Sequence, residues 1–232
     1  MPSRGRLIAV EGIDGAGKRT QLDLLSLALT RRGVPHVRYS FPRYDSFFGR
    51  LVGRYLNGDF GPLDQLDAQF SALLFAGDRL EAKPELEATL AQGKTVLTDR
   101  YIASNLAHQA ARVEPHQREE FLAWLERLEY EIYGLPAEDL VLYLRLPATE
   151  AQRLVGTKAA RDYTRLQRDV HEADLAHLEK AAQVYDQLAA APNWVTVECF
   201  HTAASGLHPP EVIHRAVLAA VEARIASPAV SA

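Results

Sequence analysis

The chain is short of several things, and each shortage removes a class of function. One of its 232 residues is cysteine, Cys199, so no intramolecular disulfide can form and a reducing compartment, the cytoplasm, is expected. No stretch nears the roughly 18 apolar residues of a membrane-spanning helix, and the apolar run 7–10 is too short for a signal sequence. Positive charge is not in excess: 26 Lys and Arg against 30 Asp and Glu leave a formal net charge of −4. A nucleic-acid or membrane partner is therefore not expected, and any bound anion must be gripped by a local site. The sequence also lacks internal repeats, low-complexity linkers and the His or Cys spacings of a structural zinc site.

What is present is an ordinary globular balance, 47% hydrophobic and 24% charged, in a length that suits one large domain. Short apolar runs at 7–10, 36–41, 95–98, 140–146 and 194–200 read as strands. Longer patterns with helical spacing fall at 21–32, 49–56, 63–83, 103–112, 117–133, 172–190 and 211–225. Strands separated by helices pair in parallel through right-handed crossovers, which predicts a three-layer α/β fold on a five-stranded parallel sheet. The expected layout is a single domain over residues 1–226, with a fraying tail at 227–232.

The chemistry begins where the first strand ends. Gly12-Ile13-Asp14-Gly15-Ala16-Gly17-Lys18 is a G-x-x-x-x-G-K loop between a strand and a helix, and Arg19-Thr20 open that helix. Such a loop turns its backbone N–H groups toward phosphate oxygens, and its lysine reaches the terminal phosphates of a nucleotide. Arg19 stands where a Ser or Thr usually follows the lysine, with Thr20 one place later. The hydroxyl that normally meets magnesium is thus displaced, and Asp14 or Asp99 is expected to hold the metal instead.

The loop alone does not choose an acceptor. No guanine-selecting N-K-x-D occurs. The second strand runs into Phe41-Pro42-Arg43-Tyr44 and the third into Asp99-Arg100-Tyr101, which delivers Arg43 and Arg100 to the carboxyl edge of the sheet, where open parallel sheets bind ligands. Two arginines there suit an acceptor that already carries a phosphate.

These segments, with Leu74-Phe75-Ala76-Gly77-Asp78-Arg79 and Asp99-Arg100-Tyr101-Ile102-Ala103-Ser104-Asn105 in order, resemble bacterial thymidylate kinases over nearly the whole chain. The resemblance implies a P-loop kinase domain that moves the γ-phosphoryl of ATP to dTMP, with Mg2+, as a homodimer. It implies a short helical lid at about 156–169, whose Arg161 or Arg165, backed by Lys158, closes on the transferring phosphate. Phe75 is similar to the residue that stacks on thymine, although taken alone a core position on a helix is the plainer account of it. Arg79 and Asn105 are similar to those that read the base edges, Arg43 and Arg100 to those that hold the acceptor phosphate, and Asp14 to the residue near the sugar 3′-OH. Phe41 and Tyr44 would line the same acceptor site. His108 and His171 stand where relatives carry aromatic residues near the acceptor. A deoxynucleoside kinase would place a carboxylate after the second strand, where this chain has Arg43; a noncatalytic nucleotide switch would need neither the base-reading residues nor a basic lid.

Overall fold

The computed structural model describes residues 4–62, 65–155, 175–201 and 206–226. The lid segment 156–169, with Lys158, Arg161 and Arg165, lies outside these, as do His171 and the tail 227–232.

The core strands are β1 (Leu7–Glu11), β2 (His36–Ser40), β3 (Thr95–Asp99), β4 (Leu140–Arg145) and β5 (Trp194–Glu198), in the order β2-β3-β1-β4-β5. Every neighbour pairs in parallel. The central β1 is buried along its whole length, as its run of Leu7, Ile8, Ala9 and Val10 demands: a strand covered on both faces has no polar side to alternate with. Helices α1 (Lys18–Arg31), α2 (Phe47–Leu56), α3 (Ala68–Ala91), α4 (Ile102–Ala110), α5 (Arg118–Glu126), α6 (Ala148–Val155), α7 (Leu175–Leu188) and α8 (Pro210–Ala226) cover the sheet. The main core joins both faces of the sheet; a smaller cluster of Val52, Tyr55, Leu56 and Leu74, with Phe75 packed against it, seals α2 on α3.

The elements depart from the sequence reading in four places. The third helix does not end before Pro84 but passes through it to Ala91. Burial of Ala82, Leu86 and Leu90 along one side outweighs the backbone hydrogen bond that proline cannot make. The fifth helix breaks its α pattern into a π-helical segment, Arg127–Ile132. Residues 194–200 do not form one strand: β5 stops at Glu198, and Phe200–His201 (β6) pairs antiparallel with Gly206–Leu207 (β7). Finally, α6, which follows Pro147, was not expected; its eight residues are too few for periodicity to register. Cys199, at the turn out of β5, is 2% exposed, and burial pushes its thiol up to about 12. No helix among the described residues is long and apolar enough to cross a membrane.

Candidate active site

The loop after β1 is shaped by its glycines. Gly12 has φ 137° and a Cβ there would lie 2.6 Å from the Leu144 carbonyl oxygen; Gly15 has φ 91° and would strike the Ala151 oxygen at 2.3 Å. Both are left-handed positions pressed against backbone, so a side chain is excluded twice over. Gly17, at φ 90°, turns the chain into α1. Lys18 folds back beneath this loop and donates from Nζ to the carbonyls of Gly12 and Ile13, at 2.9 Å each. Burial and the neighbouring Arg100 guanidinium push its pKa down to about 8. Arg19 and Thr20, the next two residues, are exposed.

At the end of β3, Arg100 takes a left-handed backbone with φ 65°, the only non-glycine among the described residues to do so. Conformations of this kind cost of order 1–3 kcal/mol and persist where the surroundings fix them. Here they do. Arg100 N donates to Val10 O at 3.1 Å, while the guanidinium donates to Asp14 Oδ1 at 2.7 Å and to Ser104 Oγ at 2.9 Å. Burial works most strongly against its charge, but Asp14, Tyr185, Glu11 and Asp99 together outweigh it and hold the pKa well above its ordinary value. Nη1 also lies 3.3 Å from His108 Nε2, and His108 Nδ1 lies 3.3 Å from His177 Nε2. The structure thus brings Asp14, Lys18, Arg100 and His108 together.

Asp14 and Asp99 differ. The Asp14 carboxylate is engaged by Arg100, whereas the carboxylate of Asp99 makes no hydrogen bond or ion pair among the described residues, although it lies close enough to Lys18 to act on its charge. Of the two, Asp99 therefore fits a magnesium ion that keeps most of its ligands as water and phosphate oxygen.

Arg43 is set by a residue that the sequence reading did not single out. Asp78, 1% exposed on α3, accepts from Arg43 N at 2.8 Å, from Arg43 Nε at 3.4 Å and from Ser46 Oγ at 2.8 Å. The Phe41–Pro42 peptide before it is cis, and the buried Phe41 ring meets Tyr101 at 5.8 Å. Tyr44 and Phe75 pack against the α2–α3 cluster, where Phe75 meets Tyr55 edge to face at 5.9 Å.

Arg79 and Asn105 converge on one carboxylate. Glu129, fully buried in the π-helical segment, receives Arg79 Nε and Nη2 at 2.6 Å each and Asn105 Nδ2 at 2.8 Å. Asn105 Oδ1 and, one helical turn on, Gln109 Nε2 are buried and have no hydrogen-bond partner among the described residues. An acceptor and a donor left open at i and i+4 lie on one face of α4. Neither Glu129 nor Gln109 stood out in the sequence; only the spacing of Gln109 from Asn105 offered a signal. A second buried carboxylate, Glu11, supports the floor of the site, accepting from Tyr101 N at 2.6 Å, Ser104 Oγ at 2.6 Å and Tyr185 Oη at 2.9 Å.

Comparison with known proteins adds the following. The family described as thymidylate kinase matches residues 10–203. A thymidylate kinase of Mycobacterium tuberculosis is 35% identical over 195 residues, covering 82% of this chain and 90% of that protein. A probable thymidylate kinase of Thermococcus gammatolerans is 31% identical over 222 residues, covering 90% and 98%. The human thymidylate kinase is 34% identical over 151 residues, 65% of each chain. A solved structure of the Candida albicans enzyme superposes with a TM-score of 0.74 at 24% identity, over 96% of this chain and 93% of that one, which establishes the shared fold.

Proposed function

We propose, from the premise that the chain belongs to the thymidylate kinase family, a division of labour among its residues. The enzyme is a nucleoside monophosphate kinase that transfers the γ-phosphoryl of ATP to dTMP, giving dTDP and ADP. In our reading an oxygen of the dTMP phosphate attacks Pγ, the bond from Pγ to the β–γ bridging oxygen breaks, and the displaced electron pair leaves on ADP. The attacking oxygen is already ionised, so no strong general base is required; positioning and charge neutralisation carry the rate.

The ATP phosphates lie on the N–H groups of Gly12, Ile13, Asp14, Gly15, Ala16, Gly17, Lys18, Arg19 and Thr20. Lys18 leaves the carbonyls of Gly12 and Ile13 to reach the β- and γ-oxygens. Arg43 and Arg100 hold the acceptor phosphate, and Asp14, anchored by Arg100, takes the sugar 3′-OH. Phe75 stacks on the base. Glu129 occupies two of the Arg79 nitrogens and aims the guanidinium, so the edge of the base is read by the rest of Arg79 with Asn105 Oδ1 and Gln109 Nε2. Phe41 and Tyr44 wall this pocket, and His108 stands beside the sugar, with His171 as a further acceptor contact. Magnesium, held through Asp99 in preference to Asp14, supplies charge neutralisation at the phosphates. Arg161 and Arg165 of the lid complete the cation set.

The observation that carries this reading is the Asp14–Arg100–Lys18 cluster on the loop edge, with Arg43 and Arg100 at the acceptor side. Following ADP release with ATP, Mg2+ and a panel of acceptors tests it. Turnover is expected with dTMP and not with thymidine; turnover with thymidine alone would make the protein a nucleoside kinase, and none with any acceptor would make it a switch. Arg161→Ala is expected to lower kcat by about 10²-fold with a smaller change in either KM; an unchanged kcat removes that residue from the site. We also infer a cytoplasmic homodimer, supported by the exposed Phe70, Leu73 and Leu80 along one side of α3.

A further inference from the structure

Helix α7 buries five side chains, and His177 and Tyr185 are the two among them that carry a polar group. They lie about two turns apart on one face, and both turn that group toward α4. Tyr185 Oη donates to Glu11 Oε2 at 2.9 Å and lies 2.9 Å from Ser104 Oγ, so it belongs to the floor of the kinase site. His177 reaches a different group. Its Nε2 lies 3.3 Å from Nδ1 of His108, and the two rings are tilted by 32° with centroids 5.5 Å apart. Both histidines are buried. Placing an imidazole beside Leu178, Ala181 and Val184 costs free energy unless its nitrogens are paired, so packing alone would favour an apolar residue here.

The direction of this contact is fixed from its other end. Arg100 Nη1 lies 3.3 Å from His108 Nε2, and a guanidinium only donates, so His108 Nε2 keeps its lone pair. The ring proton of the neutral imidazole then sits on Nδ1 and is donated to His177 Nε2, whose own proton moves to Nδ1. A histidine free in water favours the proton on Nε2, so both rings hold the less common tautomer. Among the described residues, Arg100 from the turn after β3 and Tyr185 from α7, its ring 6.1 Å from His108, face the pair. The carboxylates of Asp14 and Glu11 stand one contact further away, bound to Arg100 and to Ser104.

Arg100 Nη1 also donates to Ser104 Oγ at 2.9 Å, and Ser104 and His108, at i and i+4, present their acceptors from one face of α4. With Nη2 on Asp14 Oδ1, these contacts aim the guanidinium fork. We propose that His177 is a positioning residue for the acceptor phosphate: it takes the Nδ1 proton of His108, which leaves the His108 Nε2 lone pair to Arg100 and fixes that guanidinium. This role rests on the reading in which Arg100 holds the dTMP phosphate. His177 acts through His108 and does not meet the substrate. When it is removed, the His108 Nδ1–H loses this acceptor, the ring turns toward another, and Arg100 loses one of its holds.

Long-range proton–nitrogen NMR spectra of the full chain read the tautomers directly, with signals assigned by their loss in His177→Gln and His108→Gln. Above the ordinary histidine range, both rings are expected to carry the proton on Nδ1. Kinetics test the consequence. His177→Leu should raise the KM for dTMP about fivefold, the worth of one hydrogen bond, with the KM for ATP unchanged. His177→Gln, whose Oε1 reaches the place of the imidazole Nε2 and accepts in its stead, should return the dTMP KM to within about twofold of its original value. Should the leucine variant fold poorly, the tautomers of the unaltered protein and the glutamine variant decide. In an active enzyme, a proton on His108 Nε2, an unchanged dTMP KM in His177→Leu, an equal rise in both KM values or a failed rescue by glutamine would each overturn the proposal alone. Absence of dTMP turnover in the unaltered protein would instead sink the functional reading, and the role of His177 with it.

Discussion

Lys18 is a cation stored without water, and that has a measurable consequence. Its folded pKa, about 8, lies below the ordinary lysine value of 10.5. The folded state therefore holds fewer protons than the unfolded state between these values, so the contribution of Lys18 to stability improves as pH rises through that window and is a full penalty below pH 8. Replacing it removes the penalty. Lys18→Met is expected to raise the Tm of the nucleotide-free protein by a few degrees at pH 7, with a smaller gain at pH 10, and to abolish turnover. Thermal melts at the two pH values check the sign. Glu129→Gln should do the reverse: it leaves Arg79 buried with a weakened counter-charge, which costs about 3–5 kcal/mol, and it should raise the KM for dTMP far more than that for ATP. Denaturant titration and steady-state kinetics separate the two effects. At this scale the phosphate loop was legible because its spacing is local, whereas Glu129 and Asp78 were not. Glu129 lies in an unremarkable helical sequence, and Asp78 stands inside the segment 74–79 with nothing local to mark it as the partner of Arg43; each acquires its role from partners at sequence separations of 50 and 35.

Among the elements, α3 holds the clearest conflict between local preference and packing. Pro84 removes one backbone donor in the middle of a 24-residue helix, yet the helix continues because its far half caps the sheet with Leu86 and Leu90. Pro84→Ala should stabilise the protein by about 1–2 kcal/mol, seen as a higher denaturation midpoint with unchanged slope; a loss of stability would mean that the proline shapes the helix to its neighbours. The strands were readable as continuous apolar runs because a doubly covered parallel sheet leaves no alternation to decode. Where the reading missed, the signal was short or cooperative. Nothing within the eight residues of α6 marks them out, and the π-helical segment exists because Leu128 and Glu129 must both reach the interior.

For the molecule as a whole, the exposed apolar side of α3 bears on assembly. Phe70 and Leu73 are each 40% exposed and Leu80 37%, a pattern better suited to a partner than to water. Light scattering is expected to give twice the 25.7 kDa chain mass, and Leu73→Glu to give a single chain. The lone cysteine finally makes the protein experimentally convenient. With Cys199 buried and its thiol held protonated to about pH 12, the native enzyme should be nearly silent toward maleimides near neutrality. A cysteine introduced at an exposed position such as Glu211 would then carry a spectroscopic label by itself, without first engineering the natural thiol away.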